Sequence, residues 1–244
     1  MIKFEMHCHT MPSSYCAKAD NQTIIRRYKE AGYGGICVTN HIARKSYDKY
    51  PGETDREKID FYYSIYENFK EFAKQNGIKV FIGAEIRIGN GEEFMIFGFD
   101  KQFLYDYVPA VFTMDQKQLY EIANEKGFFL YQTHPFRDRV KVLGDPKYMH
   151  GAEIYNAHFH HTNFNEKAVE FCKANNLIGV CGTDFHEPDQ PILTAMYIPD
   201  DVNDEKAFVK CLFDRQFQLS CDEKTYKIEL EKYLKMKQEK EQCK

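Results

Sequence analysis

Short apolar runs alternate with helix-spaced segments along most of this chain, and nearly every run stops on a residue that can bind a metal. Ile2, Phe4 and Met6 alternate with Lys3 and Glu5 in the two-residue period of a strand, which ends in His7-Cys8-His9. Successive strand side chains point to opposite faces, so His7 and His9 share one face and Cys8 takes the other. The pattern recurs: Ile36 to Thr39 precedes His41, Val80 to Ile82 leads to Glu85, and Phe128 to Tyr131 leads to His134. Ala152 to Tyr155 then stops at Asn156, and Leu177 to Cys181 runs into Asp184 and His186. A lone His-x-His pair also suits a helix cap or a surface. Random placement, however, would scatter these residues over loops and outer helix faces.

Strands alternating with helices predict a parallel sheet with helices outside it, of the α/β class. In closed barrels of this kind the chemistry sits at the C-terminal ends of the strands. The helical spacings fall at Asn21 to Ala31, from Ile59 to Asn76-Gly77, from Asp115 to Gly127, at Asn165 to Ala174, and after Asn203. Phe94 to Phe99 and Thr194 to Ile198 are further strands. Residues 42 to 56 are polar, hold Pro51-Gly52 and predict a loop, and the segment around Pro109 predicts irregular structure. The tail from Lys224 places Tyr226, Leu230, Tyr233 and Leu234 on one helical face, so it is expected to pack on the body. Residues 1–222 are thus expected to form one barrel domain and 223–244 a terminal helix.

With 244 residues the chain can bury one large core. A net charge of −4, spread along the chain, provides no broad basic surface, so long nucleic acid is not the expected partner. Eight cysteines without a Cys-x-x-Cys pair or a leader read as reduced thiols, and no apolar run has membrane-spanning length. A cytoplasmic protein is expected. Cys8, Cys37, Cys172, Cys181 and Cys211 suit small core positions.

The strand-end donors are imidazole and carboxylate, with no paired thiolates. That set suits zinc, manganese or iron in a reactive centre over a structural zinc knot. Five strand-end histidines exceed the needs of one ion, and two or three ions with Glu85 as a bridge use them better.

His-x-His, Thr39-Asn40-His41, Gly83-Ala84-Glu85, Thr133-His134-Pro135 and Gly182-Thr183-Asp184-Phe185-His186, in this order, resemble the motifs of the PHP family (polymerase and histidinol phosphatase domains). Glu153-Ile154-Tyr155-Asn156 is similar to the pattern before that family's last helix and strand. The resemblance implies a distorted seven-stranded (β/α)7 TIM-like barrel whose two or three divalent ions hydrolyse phosphate esters through a metal-bound hydroxide. By motif position, His7, His9, Glu85 and Asp184 would hold one ion, Glu85 and His134 a second, and His41 with His186 a third. Two departures stand out. Where family members have an Asp or His shortly after His-x-His, this chain has Ser13-Ser14-Tyr15-Cys16, with Cys16 or Asp20 as possible substitutes. It also has no histidine between His41 and His134.

A small phosphorylated substrate, histidinol-phosphate-like or nucleotide-like, is the expected partner. Arg137, three residues beyond His134, is the first candidate for a phosphate clamp because guanidinium can bind two oxygens at once, with Arg44 and Lys45 next. Asp184 or His186 can serve the leaving group. His158, His160 and His161 either line the pocket or form a polar rim, and His150 is expected at the surface. Alternatives are a phosphodiesterase or exonuclease on the same cluster, or an inactive metal-bound scaffold.

Overall fold

The structure, a computed structural model, describes residues 1–138, 140 and 142–242. In chain order its elements are β1 (Ile2–Cys8), α1 (Asn21–Glu30), β2 (Gly35–Val38), β3 (His41–Ile42), α2 (Arg44–Tyr47), α3 (Asp55–Gln75), β4 (Lys79–Arg87) and β5 (Glu93–Phe97). They continue with α4 (Lys101–Val111), α5 (Gln116–Lys126), β6 (Phe129–Gln132), a 3-10 turn at Pro146–Tyr148, β7 (Gly151–Asn156) and α6 (Asn165–Ala174). The chain closes with β8 (Ile178–Gly182), β9 (Thr194–Ile198), α7 (Glu205–Phe213), β10 (Gln218–Cys221) and α8 (Glu223–Gln242).

The sheet runs β10-β9-β1-β2-β4-β5-β6-β7-β8, with β3 paired to β4. Strands β1, β2, β4, β5, β6, β7 and β8 curl into a nearly closed barrel, as the resemblance implied. The distortion lies in two places. Strand β5 is antiparallel to both neighbours. The seam between β1 and β8 closes only at the C-terminal rim, where Cys8 bridges Phe185, His9 N donates to Phe185 O (3.1 Å) and Phe185 N donates to His7 O (3.0 Å). Lower down, β9 takes the open edge of β1 at Ile2, Lys3 and Phe4. Between these regions the buried Glu5 carboxylate accepts from His7 N (2.8 Å), Thr183 N (2.9 Å) and the Tyr28 hydroxyl (2.9 Å). A residue that alternation sets on the polar side of β1 is thus an internal tie across the seam.

Two apolar layers hold the barrel. Phe4, Met6, Cys37, Phe81, Phe97 and Tyr131 fill the interior with Phe208 of α7. Ile36, Val38, Ile82, Ala84, Ile96 and Leu130 face the outer helices, including Tyr28 of α1 and Tyr62, Tyr66 and Phe69 of α3. The aromatic stripe of α3 is therefore core.

Local signals set most helix ends. Asp20 caps α1 and Asp115 caps α5 in a capping box with Gln118, while Gly127 ends α5 at φ 71°. Helix α3 begins at Asp55, before the expected Ile59, because Thr54 and Glu57 form a capping box. Asp204, not Asn203, caps α7. The segment around Pro109 is a helix, α4, rather than irregular. Its Pro lies in the last turn, where one lost hydrogen bond is outweighed by burial of Phe103, Leu104, Val108 and Val111. The expected loop at 42–56 holds part of β3 and all of α2, the latter anchored by buried Ser46 and Tyr47. On α8, Tyr226 is buried and its hydroxyl accepts from Asn163 Nδ2 (3.0 Å), whereas Leu234 is exposed, contrary to the expected stripe. His150 is not a free surface ring: Nδ1 accepts from Leu130 N (3.0 Å) and the ring packs on Tyr120, Phe129 and Phe213. Among the described residues, no helix is long and apolar enough to cross a membrane.

Candidate metal centre

The rim of the barrel brings all seven expected donors together. Their placement begins with a bulge in β1, where three residue steps from Glu5 to Cys8 stand against two on β2. Phe4 and Met6 lie in the interior layer and Cys8 in the outer one. Unbroken alternation from Met6 would turn Cys8 inward and both histidines away, and the bulge reverses the faces. Gly182 makes room beside them, since a Cβ there would lie 2.5 Å from the His7 Cβ and 2.9 Å from Glu153 Oε1. His134 and Asp184 leave their strands with φ of 30° and 53°, strained values of the kind that packing enforces at reactive sites.

Outer partners fix both His7 and His9. His7 Nδ1 donates to Glu153 Oε1 (3.0 Å). The Ser14 hydroxyl donates to Asn40 Oδ1 (3.1 Å), so it accepts from His9 Nδ1 (3.1 Å). Each ring therefore presents its Nε2 inward, and the two Nε2 atoms lie 3.0 Å apart. Facing lone pairs at that distance require a proton on one ring or a cation beside them. Asp184 Oδ1 lies 3.4 Å from His7 Nε2 and 3.3 Å from His9 Nε2. Glu85 Oε2 lies 2.9 Å from His41 Nδ1, 3.4 Å from His9 Nε2 and 3.6 Å from His7 Nε2. Glu85 Oε2 is thus buried among three imidazoles without a well-aligned hydrogen bond to any of them, a position a cation would fill. Glu85 Oε1 meets His134 Nε2 at 3.0 Å, and His134 Nδ1 is also buried without a partner.

Electrostatics agree with this geometry. Burial pushes the Glu85 and Asp184 carboxyls up, but His41 and His7 beside Glu85, and His7, Arg137 and His186 beside Asp184, hold both well below the usual range. Burial disfavours a charged His7, yet Asp184, Glu153 and Glu85 outweigh it and hold its pKa well above that of free imidazole. His9 moves the other way, through burial and the neighbouring His186 and His41. Ionised acids around one attracted positive charge suit a divalent cation.

The donors form overlapping groups whose ligand atoms lie within 4.8 Å of one another: His7, His9 and Glu85; His9, His41 and His186; His158, Asp184 and His186; and His41, Glu85 and Glu93. The chain's own residues thus fit a metal centre. Above them lies a cavity of about 550 Å³ lined by His41, Glu85, His134, Arg137, His158, Asp184 and His186, with His160, His161 and Tyr233 at its edge. A neighbouring cavity of about 480 Å³ shares Arg87, Glu93, His134, Arg137 and His161 with it.

Arg137 lines both cavities, but much of its guanidinium is engaged. Nη2 donates to Asp184 Oδ2 (2.5 Å) and Asn156 Oδ1 (2.9 Å), and Nε donates to Asn163 Oδ1 (2.9 Å). Arg44 and Lys45 do not line the main cavity. Arg44 lies over the Phe112 ring, and Lys45 over that of Tyr15. Of the two substitutes after His-x-His, Asp20 is spent capping α1 at the surface. Cys16 lines the cavity together with His41 and His186. Burial raises its thiol pKa, but those two rings bring it down to about 6.

Sequence reasoning missed Glu93, Arg87 and the orienting roles of Glu153 and Ser14. Glu93 Oε2 lies 3.8 Å from His134 Nε2, and Arg87 holds the other carboxylate oxygen at 2.5 Å. The signal was present as a hairpin, because Glu85 pairs with Met95 and Arg87 with Glu93 in the β4–β5 register.

The profile of the PHP domain matches residues 5–220. No curated protein matches the chain in sequence. Among solved structures, PsfC from Pseudomonas syringae is similar at 16% identity, covering 95% of this chain and 97% of that one, with a TM-score of 0.67. A two-domain Bacteroides vulgatus protein containing a predicted PHP-like metal-dependent phosphoesterase is similar at 19% identity over 90% of this chain, with a TM-score of 0.62; the match spans 64% of that protein. Endonuclease Q in complex with a 27-mer duplex bearing an abasic lesion is similar at 9% identity, covering 86% of this chain and 56% of that one, with a TM-score of 0.57. These likenesses concern the fold; the profile match, spanning most of the chain, makes it a member of the PHP domain family.

Proposed function

We propose that this chain is a metal-dependent phosphoesterase that hydrolyses a small phosphomonoester of the histidinol phosphate or nucleotide kind. The observation that carries this is the convergence of two carboxylate oxygens, Glu85 Oε2 and Asp184 Oδ1, on the inward Nε2 atoms of His7 and His9 below an open cavity. His7, His9, Glu85 and Asp184 would hold one ion, Glu85 and His134 a second, and His41 with His186 a third. Such ions, zinc, manganese or iron, supply positive charge for the phosphoryl group and a water of lowered pKa.

The chain's own residues supply the rest. Glu153 and Ser14 lock the rings of His7 and His9, so no reorientation is needed when substrate arrives. Arg137 is held by Asp184, Asn156 and Asn163, and its Nη1 bonds to no described residue, leaving an N–H for a phosphate oxygen. Asp184 and His186 border the cavity; His186 is placed to serve the departing alkoxide, while Asp184 is held ionised by its neighbours. The cavity of about 550 Å³ suits a metabolite-sized ligand.

The similarity to endonuclease Q supports a second candidate, a phosphodiesterase or nuclease. The net charge of −4 and the acidic Glu93 and Glu187 at the cavity weigh against a long polyanion. The full chain, loaded with manganese or zinc, is to be assayed on p-nitrophenyl phosphate, bis-p-nitrophenyl phosphate, single-stranded DNA and an abasic duplex. Turnover of the monoester alone is expected, and a panel of phosphorylated metabolites then identifies the substrate. Cleavage of diester or DNA without monoester turnover replaces the phosphatase by a nuclease. Bound metal with no turnover of any ester leaves an inactive scaffold.

A further inference from the structure

Helix α8 lies beyond the residues that the PHP profile matches, yet its Tyr233 lines the cavity above the donor cluster. We propose that Tyr233, stacked on His160, is a specificity-determining wall of this cavity, and that the preferred phosphomonoester carries a planar aromatic ring in its leaving group that lies against this wall. The inference rests on the phosphoesterase reading and goes beyond it in naming the part of the substrate that is recognised and the helix that recognises it.

The wall is continuous with the donor cluster. The His186 ring centre lies 5.3 Å from that of His158, and His158 lies 5.2 Å from His160. His160 and Tyr233 then stack at 4.4 Å with their planes 25° apart, and Phe159 meets both rings edge-on. His186, His158, His160 and Tyr233 all line the one cavity. The first turns of α8 fix the helix in place. Tyr226 is buried against the Tyr155 ring, and its hydroxyl donates to His161 O (3.2 Å) and accepts from Asn163 Nδ2 (3.0 Å). Asn163 Nδ2 also donates to His158 O (3.0 Å), while Asn163 Oδ1 accepts from Arg137 Nε (2.9 Å). One amide thus ties α8, the segment of His158 to His161 and the candidate phosphate clamp into a single frame. Tyr233 itself stays half-buried, so its ring keeps surface to offer a ligand. The donors at the base of the cavity can hold a phosphate whatever alcohol it carries, so discrimination needs a contact farther out. Aromatic rings presented there attract another flat ring and lose little conformational freedom in doing so.

The test separates the ring from the phosphate. Phenylalkylphosphonates with one to four methylenes, monoester mimics that resist hydrolysis, are titrated by calorimetry into the manganese-loaded full chain, beside the alkylphosphonates that lack the ring. The best phenyl compound is expected to bind about tenfold tighter than its ringless counterpart, the scale of one ring stacked on an aromatic side chain. Tyr233→Ala should lose most of that gap and Tyr233→Phe should keep it, with far-ultraviolet circular dichroism unchanged. Tyr233→Leu, apolar but not flat, should behave like Tyr233→Ala. No gap in the wild type, or a gap retained in Tyr233→Ala or Tyr233→Leu, overturns the role of Tyr233. The phosphoesterase proposal then still stands, since turnover of p-nitrophenyl phosphate is measured separately. A gap that depends on Tyr233 without turnover of any ester overturns the phosphoesterase and leaves a ring-binding site. Failure of the wild type to bind any phosphonate overturns both.

Discussion

Arg137 and Asp184 form a pair across the mouth of the barrel, with Arg137 Nη2 2.5 Å from Asp184 Oδ2 while Asp184 Oδ1 faces His7 and His9. One carboxylate thus joins the cation expected to bind phosphate to the imidazoles expected to bind metal. Arg137 is therefore both a candidate phosphate contact and a positioning residue for Asp184.

This double role separates two substitutions. Arg137→Lys keeps a charge but loses the fork that engages Asp184, Asn156 and Asn163 together. It should raise KM or lower kcat for phosphate esters by about tenfold or more, with a measurable fall in bound metal. Unchanged kinetics and full metal content would remove Arg137 from the site.

Asp184→Ala takes one of the two buried carboxylates that face the inward imidazoles. Loss of metal and of turnover, with circular dichroism retained, is the expected result. Full activity in this variant would count decisively against the centre described above.

Glu153→Gln tests the support that His7 receives from behind the site. The carboxylate holds His7 Nδ1 through Oε1, while Oε2 accepts from His134 N (2.9 Å) and Asn156 Nδ2 (3.0 Å). An amide of the same shape weakens the first bond. Metal affinity measured by competition with a chelator should fall by about 10–100-fold, the usual cost of losing the outer partner of a ligating histidine. An unaltered affinity would show that His7 needs no such support.

His150 gives a stability prediction away from the centre. Burial lowers its pKa from 6.5 to about 4. As pH falls through about 6.5 the unfolded chain takes up a proton that the folded ring refuses until about 4. Its contribution is therefore present above about pH 6.5 and is lost progressively towards about pH 4. The loss is about 2 kcal/mol once solvent screening of a partly exposed ring is allowed for. In His150→Asn, whose amide oxygen can still accept from Leu130 N, the fall in Tm between pH 7.5 and pH 5 should be shallower. An identical acid profile would rule out His150 as its source.

Glu5→Leu removes the tie across the β1–β8 seam. It strands His7 N, Thr183 N and the Tyr28 hydroxyl, three buried donors at about 1–3 kcal/mol each. Denaturant unfolding should show a loss of at least about 3 kcal/mol, with Glu5→Gln milder. Wild-type stability in Glu5→Leu would mean that the rim bonds of Phe185 alone close the barrel.

By itself the sequence determined the alternation of strand and helix, most helix starts, and the set of donors at strand ends, because these depend on side-chain period and local capping. The helix from Asn165 to Ala174 and the strand from Thr194 to Ile198 have the boundaries expected from local pattern. Only tertiary structure decided that α4 accepts Pro109, that β5 runs antiparallel, and that Glu5 lies inside, since each follows from burial against distant segments. The same holds for the bulge that turns His7 and His9 inward, because its extra residue is defined only by pairing with β2. The choice of Cys16 over Asp20 at the cavity also lay beyond sequence. Both follow His-x-His closely, and what separates them is a turn tied through Tyr50 to His41 and, by Lys18 N donating to His186 O, to a segment more than a hundred residues away.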